Sequence, residues 1–489
     1  MEPFEYKTSA SKAKNDFPAE VLRQASAAGN IRVSSYLSNR LDLRGKTLLS
    51  FGEATDKHCE CAVSVYRNDG GSWRLGLHIA DVDEYVCEGS PLDEEAKKRR
   101  GAVRNGFEEI EMLPPMIVND VCDLQVGKDR LAVSVFMDVG ADGDLLNISF
   151  EESVVRIAEK CSYNELDHLG IINDKSSIHA IREKYAPYMN ILLDMYELAA
   201  TFCAKRRERG GLDCAVFRRN YTRDAMGNIE FSFEQEPDAR AMVRELGYFA
   251  AEAVGRYMFE RDLPCIYIGQ ETLDKSVLAF LGSLVGEGAE ALREYESAAQ
   301  IADSAKGSRF YGFVCAAIRR ALPCATFSDM PLYNSIGATD HLVSFIHPTT
   351  RYSSLLTLRM MKIGILASGD PKNLNLNKYR KIANVSAQNA NEAENVICNT
   401  QKRFLIASAE EFVKNNPSAV HKGFPFNKHK NGDVSVMLVC GLIATVPHEY
   451  LDGYELTIGT AYDFDLVDFA EEKAVVYVKP NKKMFHVKH

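Results

Sequence analysis

Two runs of alternating apolar residues, CAVSVYR at 61–67 and WRLGLHIADV at 73–82, stand on either side of Asn68-Asp69-Gly70-Gly71. Alternation with period two sends successive side chains to opposite faces of a strand, and a short Asn/Asp/Gly link between two such runs is a strong signal for an antiparallel hairpin. A second pair, DRLAVSVFMDV at 129–139 and LLNISFEES at 145–153, flanks Ala141-Asp142-Gly143. The first half of the chain is therefore built around a sheet.

Helical spacing then takes over. Residues 181–211 and 237–263 place apolar side chains at i, i+3 and i+4, as do a block from Leu355 to Leu366 and another from Gln388 to Lys414; FPAEVLRQ at 17–24 reads as a short helix. Beyond His421 the strand pattern returns at 432–447, 460–469 and 473–480, with a turn at Leu451-Asp452-Gly453. The expected fold class is α+β, with mixed sheets and surrounding helices followed by an all-β barrel. The expected segments are a lead-in at 1–45, the main domain at 46–415, and the barrel with its tail at 416–489.

With 489 residues and 46% of them apolar, the chain can bury a large core. It has no apolar run of about 18 residues, so no membrane span is expected. MEPFEYKTSASK at the start lacks an apolar stretch and carries early acidic residues, which argues against secretory or mitochondrial targeting. The twelve cysteines are scattered without CxxC pairing, which fits reduced thiols and a cytoplasmic protein. A net charge of −10 does not by itself advertise nucleic-acid affinity, although a local channel can still be basic.

GLHIADVDEYV at 76–86 and EGSPLDEEAKKR at 88–99 resemble the RNB catalytic domain of the ribonuclease II/R exoribonucleases. MLPPMIVNDVCDLQVGKDRLAVSV at 112–135 is similar to the family's M-L-P-x-x-x-S-N-D-x-C-S-L-x-x-x-x-D-R-L-A-x-S-V, with Asn119, Asp120, Cys122, Asp129 and Arg130 on matching positions. The resemblance implies an RNB fold and a C-terminal five-stranded OB-type barrel. It also implies cold-shock-type barrels upstream, for which the residues before the match are too few.

The functional motifs depart from the family. Its strand pair reads T-I-D-x-x-x-A-x-D-x-D-D-A, with aspartates that hold magnesium; here SFGEATDKHCECA at 50–62 puts Gly52, His58, Glu60 and Cys61 on those four positions. Magnesium needs hard oxygen ligands, whereas glycine supplies none and histidine and cysteine are softer donors suited to zinc or copper. In SFIHPTTRYSS at 344–354, Thr350 stands where the resemblance places the arginine on the scissile phosphate and Ser354 where it places an aspartate, while Pro348, Arg351 and Tyr352 match. VRELGYFAA at 243–251 keeps Glu245 but has Ala251 for an asparagine; Gln270 and Leu273 fall on a strand-end His and Pro; Arg104 lies near the expected base-clamping tyrosine. The barrel's F-G-x-F becomes Asn431-Gly432-Asp433-Val434, and its histidine becomes Ala444.

The resulting expectation is a catalytically inactive ribonuclease II/R-like protein, a pseudoenzyme that acts by binding RNA or a protein partner, with no metal and no other cofactor. One alternative is an active metal-dependent 3′-to-5′ exoribonuclease whose magnesium is held by Glu53, Asp56, Glu60 and Asp81 or Asp83. Another is a structural subunit of an RNA-processing assembly. His58 and Cys61, joined by His78 or His347, invite a soft-metal reading, set against a relaxed position filled by whatever packs. Weak contact with single-stranded RNA is expected from Arg206, Arg207, Arg218, Arg219, Arg351 and Tyr352; the competing reading of such basic runs is a solvated face.

Overall fold

The computed structural model describes residues 16–53, 56, 58–68, 70–105, 108–171, 175–214, 216–282, 285, 294–308, 311–366, 375–416, 420–458, 460–470 and 475–481, apart from the side chains of 104, 105, 108, 109, 170, 171, 175–178, 218–220, 402 and 470. Two compact units emerge. One comprises Met1–Leu212, Pro237–Glu271 and Pro323–Ile397, and the other Asp213–Glu236, Thr272–Leu322 and Cys398–His489.

The first unit is organised by a seven-stranded sheet. Its strands are β1 (Leu41–Asp42), β2 (Leu49–Phe51), β3 (Cys61–Arg67), β4 (Trp73–Ala80), β5 (Asp129–Val139), β6 (Leu145–Arg156) and β7 (Glu159–Cys161), in the order β1-β6-β5-β4-β3-β2-β7. Both expected hairpins are present: Arg67 pairs with Trp73 in one, and Val139 with Leu145 in the other. Gly70 and Gly71 adopt φ of 92° and 83°, a region that favours glycine and closes the first turn.

Along β4, Trp73, Leu75, Leu77 and Ile79 face a core shared with Leu192, Met195, Leu198 and Phe202 of the helix Met189–Glu208 and with Met242, Leu246 and Ala250 of the helix Asp238–Glu260. The opposite face is covered as well, by the helices Ala19–Ala28 and Pro91–Arg99. Its buried polar positions form a closed chain: Ser64 Oγ lies 2.9 Å from His78 Nε2, His78 Nδ1 2.8 Å from Ser134 Oγ, and Ser134 Oγ 2.7 Å from Ser153 Oγ. A Cβ on Gly76 would fall 2.5 Å from Ser64 Oγ, so the close approach of that serine to His78 requires glycine there. The long helical pattern expected at 181–211 is broken: a helix over Lys175–Tyr185 ends in a 3-10 turn at Ala186–Tyr188 before Met189–Glu208 begins. Pro187 is the reason, since it has no N–H to donate and crowds the preceding turn.

The second unit carries a closed barrel of five strands, β8 (Val420–Lys428), β9 (Val434–Leu438), β10 (Ile443–Val446), β11 (Tyr462–Ala470) and β12 (Val475–Pro480), in the order β8-β9-β10-β12-β11. β10 and β12 pair in parallel and the other neighbours antiparallel. Val434, Val436, Leu438, Ala444, Phe464, Val476 and Val478 fill the interior. The unit also holds the hairpin Phe217–Arg223/Ile229–Gln235. None of the twelve cysteines is in a disulfide, and among the described residues no helix is long and apolar enough to cross a membrane.

Candidate functional site

The positions of interest lie where β2, β3 and β7 end together. Ser50 of β2 is paired with Ala62 of β3 on one side and with Lys160 of β7 on the other, and the Gly52 N–H donates to Cys161 O at 3.0 Å. After Gly52 the chain turns back on itself. Asp56 Oδ2 accepts from the Glu53 N–H at 2.7 Å, and Lys160 Nζ donates to the carbonyls of Glu53 (3.0 Å) and Asp56 (3.2 Å). The Glu53 carboxylate is occupied elsewhere, accepting from Ser162 Oγ at 2.8 Å and from the Asn164 N–H at 3.0 Å at the start of the next helix. The volume beside Gly52 is filled: a Cβ there would meet Lys160 Cε at 3.2 Å.

Glu60 is the one carboxylate on a family metal position, and it is buried. Its oxygens accept from His347 Nδ1 at 3.0 Å, from the Thr349 N–H at 2.8 Å and from Thr349 Oγ1. Burial opposes its ionisation, but the His347 and Thr349 donors outweigh burial and hold the carboxyl below the usual carboxylate range. Burial pushes the Cys59 and Cys61 thiols up, so both stay protonated and neither is a ready metal ligand. Cys59 Sγ points to the Cys61 carbonyl at 3.1 Å, and its N–H donates to Asp123 Oδ1 at 2.8 Å. His58 Nδ1 is buried without a hydrogen-bond partner among the described residues.

These residues do not fit a magnesium pair. Among the described residues, one group of three or more His, Cys, Asp or Glu side chains brings ligand atoms within 4.8 Å of one another: Asp81, Glu84 and Glu152. Those carboxylates are already ion-paired. Arg40 reaches Asp81 at 2.7 Å and Glu84 at 2.7 Å, and Lys362 reaches Asp81 at 2.9 Å and Glu152 at 3.2 Å. Asp83 is held by Arg359 at 2.6 Å. Asp81 and Asp83 therefore serve buried ion pairs and do not join Glu53, Asp56 and Glu60, as the rearranged magnesium site requires. His78 is excluded as a soft-metal partner because both ring nitrogens are taken by serines.

Two of the residues expected to contact RNA are turned into the protein interior. Arg206 is a correction: it is 5% exposed and locked to Glu245 at 2.7 and 2.9 Å, with further bonds to the carbonyls of Leu212 and Ile336. Tyr352 is another, since it is buried and its hydroxyl donates to Asp93 Oδ1 at 3.2 Å. Arg351 is half-buried, precedes the helix Tyr352–Met361 and pairs with Glu394 at 3.3 Å. Thr350 is half-buried, with its carbonyl accepting from the Ala102 N–H at 2.8 Å, and Ser354 bonds Ser344 at 2.8 Å. Arg207 is exposed; the side chains of Arg218 and Arg219, like that of Arg104, lie outside the described residues. In the barrel, Asn431-Gly432-Asp433 forms a turn, with Asn431 on Asp433 at 2.7 Å, where the resemblance has an aromatic face.

Lys160 and Thr349 were missed by sequence reasoning, and His347 was weighed only as a metal ligand. A usable signal existed for the last two, because both lie in SFIHPTTRYSS, the segment the resemblance sets against the scissile phosphate.

A profile of the RNB domain matches residues 40–365. The chain belongs to the RNB domain family. Ribonuclease R of Thermotoga maritima is 26% identical over 479 residues, covering 96% of this chain and 65% of that protein. Ribonuclease R 1 of Lactococcus lactis is 30% identical over 254 residues, covering 52% of this chain and 30% of that protein. The chain thus spans less than two thirds of these relatives' lengths. In structure it is similar to Mycoplasma genitalium RNase R in complex with ribose-methylated single-stranded RNA, with a TM-score of 0.79, 17% identity, and coverage of 95% of this chain and 76% of that one. It is also similar to yeast Ssd1, a pseudonuclease, with a TM-score of 0.66, 15% identity, and coverage of 89% and 53%. The RNB fold, α+β with a closed five-stranded barrel, is common ground for these likenesses.

Proposed function

We propose that this RNB-family chain is a pseudonuclease that holds single-stranded RNA without hydrolysing it. The observation that carries the reading is the state of the four metal positions. Gly52 offers no ligand and Asp56 and Lys160 crowd it; His58 is a nitrogen donor; Cys61 is a half-buried thiol; Glu60 is consumed by His347 and Thr349. Hydrolysis of a phosphodiester by divalent ions needs several carboxylates free to clamp them and to generate the nucleophile. Thr350, at the arginine position, removes a second contributor, and an arginine on a transferring phosphoryl group is worth about 10³–10⁵ in rate.

RNA is favoured as the ligand because the fold is one that an RNA-bound relative also adopts. A cytoplasmic setting belongs to the same proposal and is supported by twelve cysteines outside disulfides. Filter binding of a labelled single-stranded RNA over a salt series tests the binding role. The expected result is weak retention that falls steeply with salt, as counterion release dictates. No retention at low salt would leave a protein-binding or structural role in its place.

A further inference from the structure

Glu60 is a buried carboxylate that accepts from the Thr349 N–H at 2.8 Å, and in its ionised form such a group only accepts hydrogen bonds. Each neighbour must therefore donate to it, including His347 Nδ1 at 3.0 Å. In the neutral imidazole the proton then sits on Nδ1 and the lone pair on Nε2, a tautomer fixed by the bond to Glu60. The same bond orients the ring. The His347 side chain is 60% exposed, and Nε2 has no hydrogen-bond partner among the described residues. The contrast with His78 is instructive: that ring is 1% exposed and spends both nitrogens on serines. His347 is thus a pre-oriented, outward acceptor, backed by a negative charge that disfavours a phosphate and favours a hydroxyl donor.

We propose that the His347–Glu60 pair is a recognition site for a ribose hydroxyl of bound RNA, with Nε2 accepting a hydrogen bond from that hydroxyl. The 2′-hydroxyl is both donor and acceptor and is the group that separates RNA from DNA. The inference rests on the pseudonuclease reading for its ligand. His347 would act here as a binding residue in a place where the family's chemistry has lapsed, and its contribution needs no metal.

The test is fluorescence anisotropy with the full chain in EDTA at mildly alkaline pH, using a labelled RNA, DNA of the same sequence, and the RNA carrying one 2′-deoxy nucleotide at either its 3′ end or its centre. One neutral hydrogen bond predicts RNA binding about three- to tenfold tighter than DNA. The single deoxy position that reproduces the loss locates the hydroxyl. His347→Ala should bring the RNA:DNA ratio close to one, an outcome that a merely structural role would not give. His347→Gln, which keeps an acceptor, should retain part of the preference and guards against a folding defect in the alanine variant. Equal RNA:DNA ratios in wild type and His347→Ala, or no binding of either nucleic acid, would overturn the proposal. RNA recovered from each titration is run on a denaturing gel; shortened RNA counts against the pseudonuclease reading whatever the ratio.

Discussion

A Cβ on residue 52 would lie 2.9 Å from Oδ2 of Asp56, the atom that closes the turn by accepting from the Glu53 N–H at 2.7 Å. Glycine at position 52 and the Asp56 turn are therefore coupled: the space an aspartate would need is already in use. Gly52→Asp should destabilise the protein by about 0.5–1.5 kcal/mol by displacing the Asp56 carboxylate from the Glu53 N–H, read from urea denaturation. Restoring aspartate at Gly52, His58, Glu60 and Cys61 together should still leave RNA intact, because Thr350 remains. Unchanged stability in Gly52→Asp would show that the turn opens freely.

The Arg206–Glu245 pair makes a second, sharper contrast. Arg206→Ala leaves Glu245 buried without its guanidinium, and removing one member of a buried pair costs about 3–5 kcal/mol. Arg207→Ala, one residue along on the exposed side of the same helix, should change stability by no more than about 0.5 kcal/mol. Similar losses for both would mean that the helix does not present Arg206 inward.

His78 sets an acid limb to stability. Burial depresses its pKa to about 3 in the folded protein, so between that value and the ordinary histidine range of about 6.5 the unfolded chain binds the extra proton. Stability should be fully present above about pH 6.5 and fall toward pH 3, with this one group contributing a slope of up to about 1.4 kcal/mol per pH unit. His78→Gln should flatten that limb in a pH series of denaturation curves. An unaltered slope would assign the acid sensitivity to other groups.

Metal content follows from the geometry of His58, Cys59 and Cys61. Protein purified without chelator should contain well under one zinc per chain by elemental analysis, and EDTA should leave its melting temperature in place, because ligands that do not converge gain little stability from a metal. Stoichiometric zinc with a large chelator-induced drop would restore the soft-metal reading.

Local signals made much of the fold legible. Asn68–Gly71 and Ala141–Gly143 announced their hairpins, and the barrel strands showed in the alternation beyond His421. What sequence could not show were partners distant in the chain. The bond from Arg206 to Glu245 spans 39 positions, whereas the local sequence places Arg206 in a basic run that reads as surface. A finer signal was available, since Leu198, Phe202 and Arg206 continue one buried stripe at helical spacing. The site was half legible. The loss of carboxylates at Gly52, His58 and Cys61 could be read directly, whereas the reassignment of Glu60 to His347 joins residues 287 positions apart. Lys160 gave no signal at all, because its role depends on the parallel pairing of β7 with β2.

The most direct test of the central claim is a 5′-end-labelled single-stranded RNA incubated with an excess of the full chain in Mg²⁺ and, separately, in Mn²⁺. The account predicts full-length RNA throughout the time course in both metals. A ladder of progressively shortened products that depends on the added metal and disappears in Glu60→Gln would contradict it and place a working nuclease site at the end of β3.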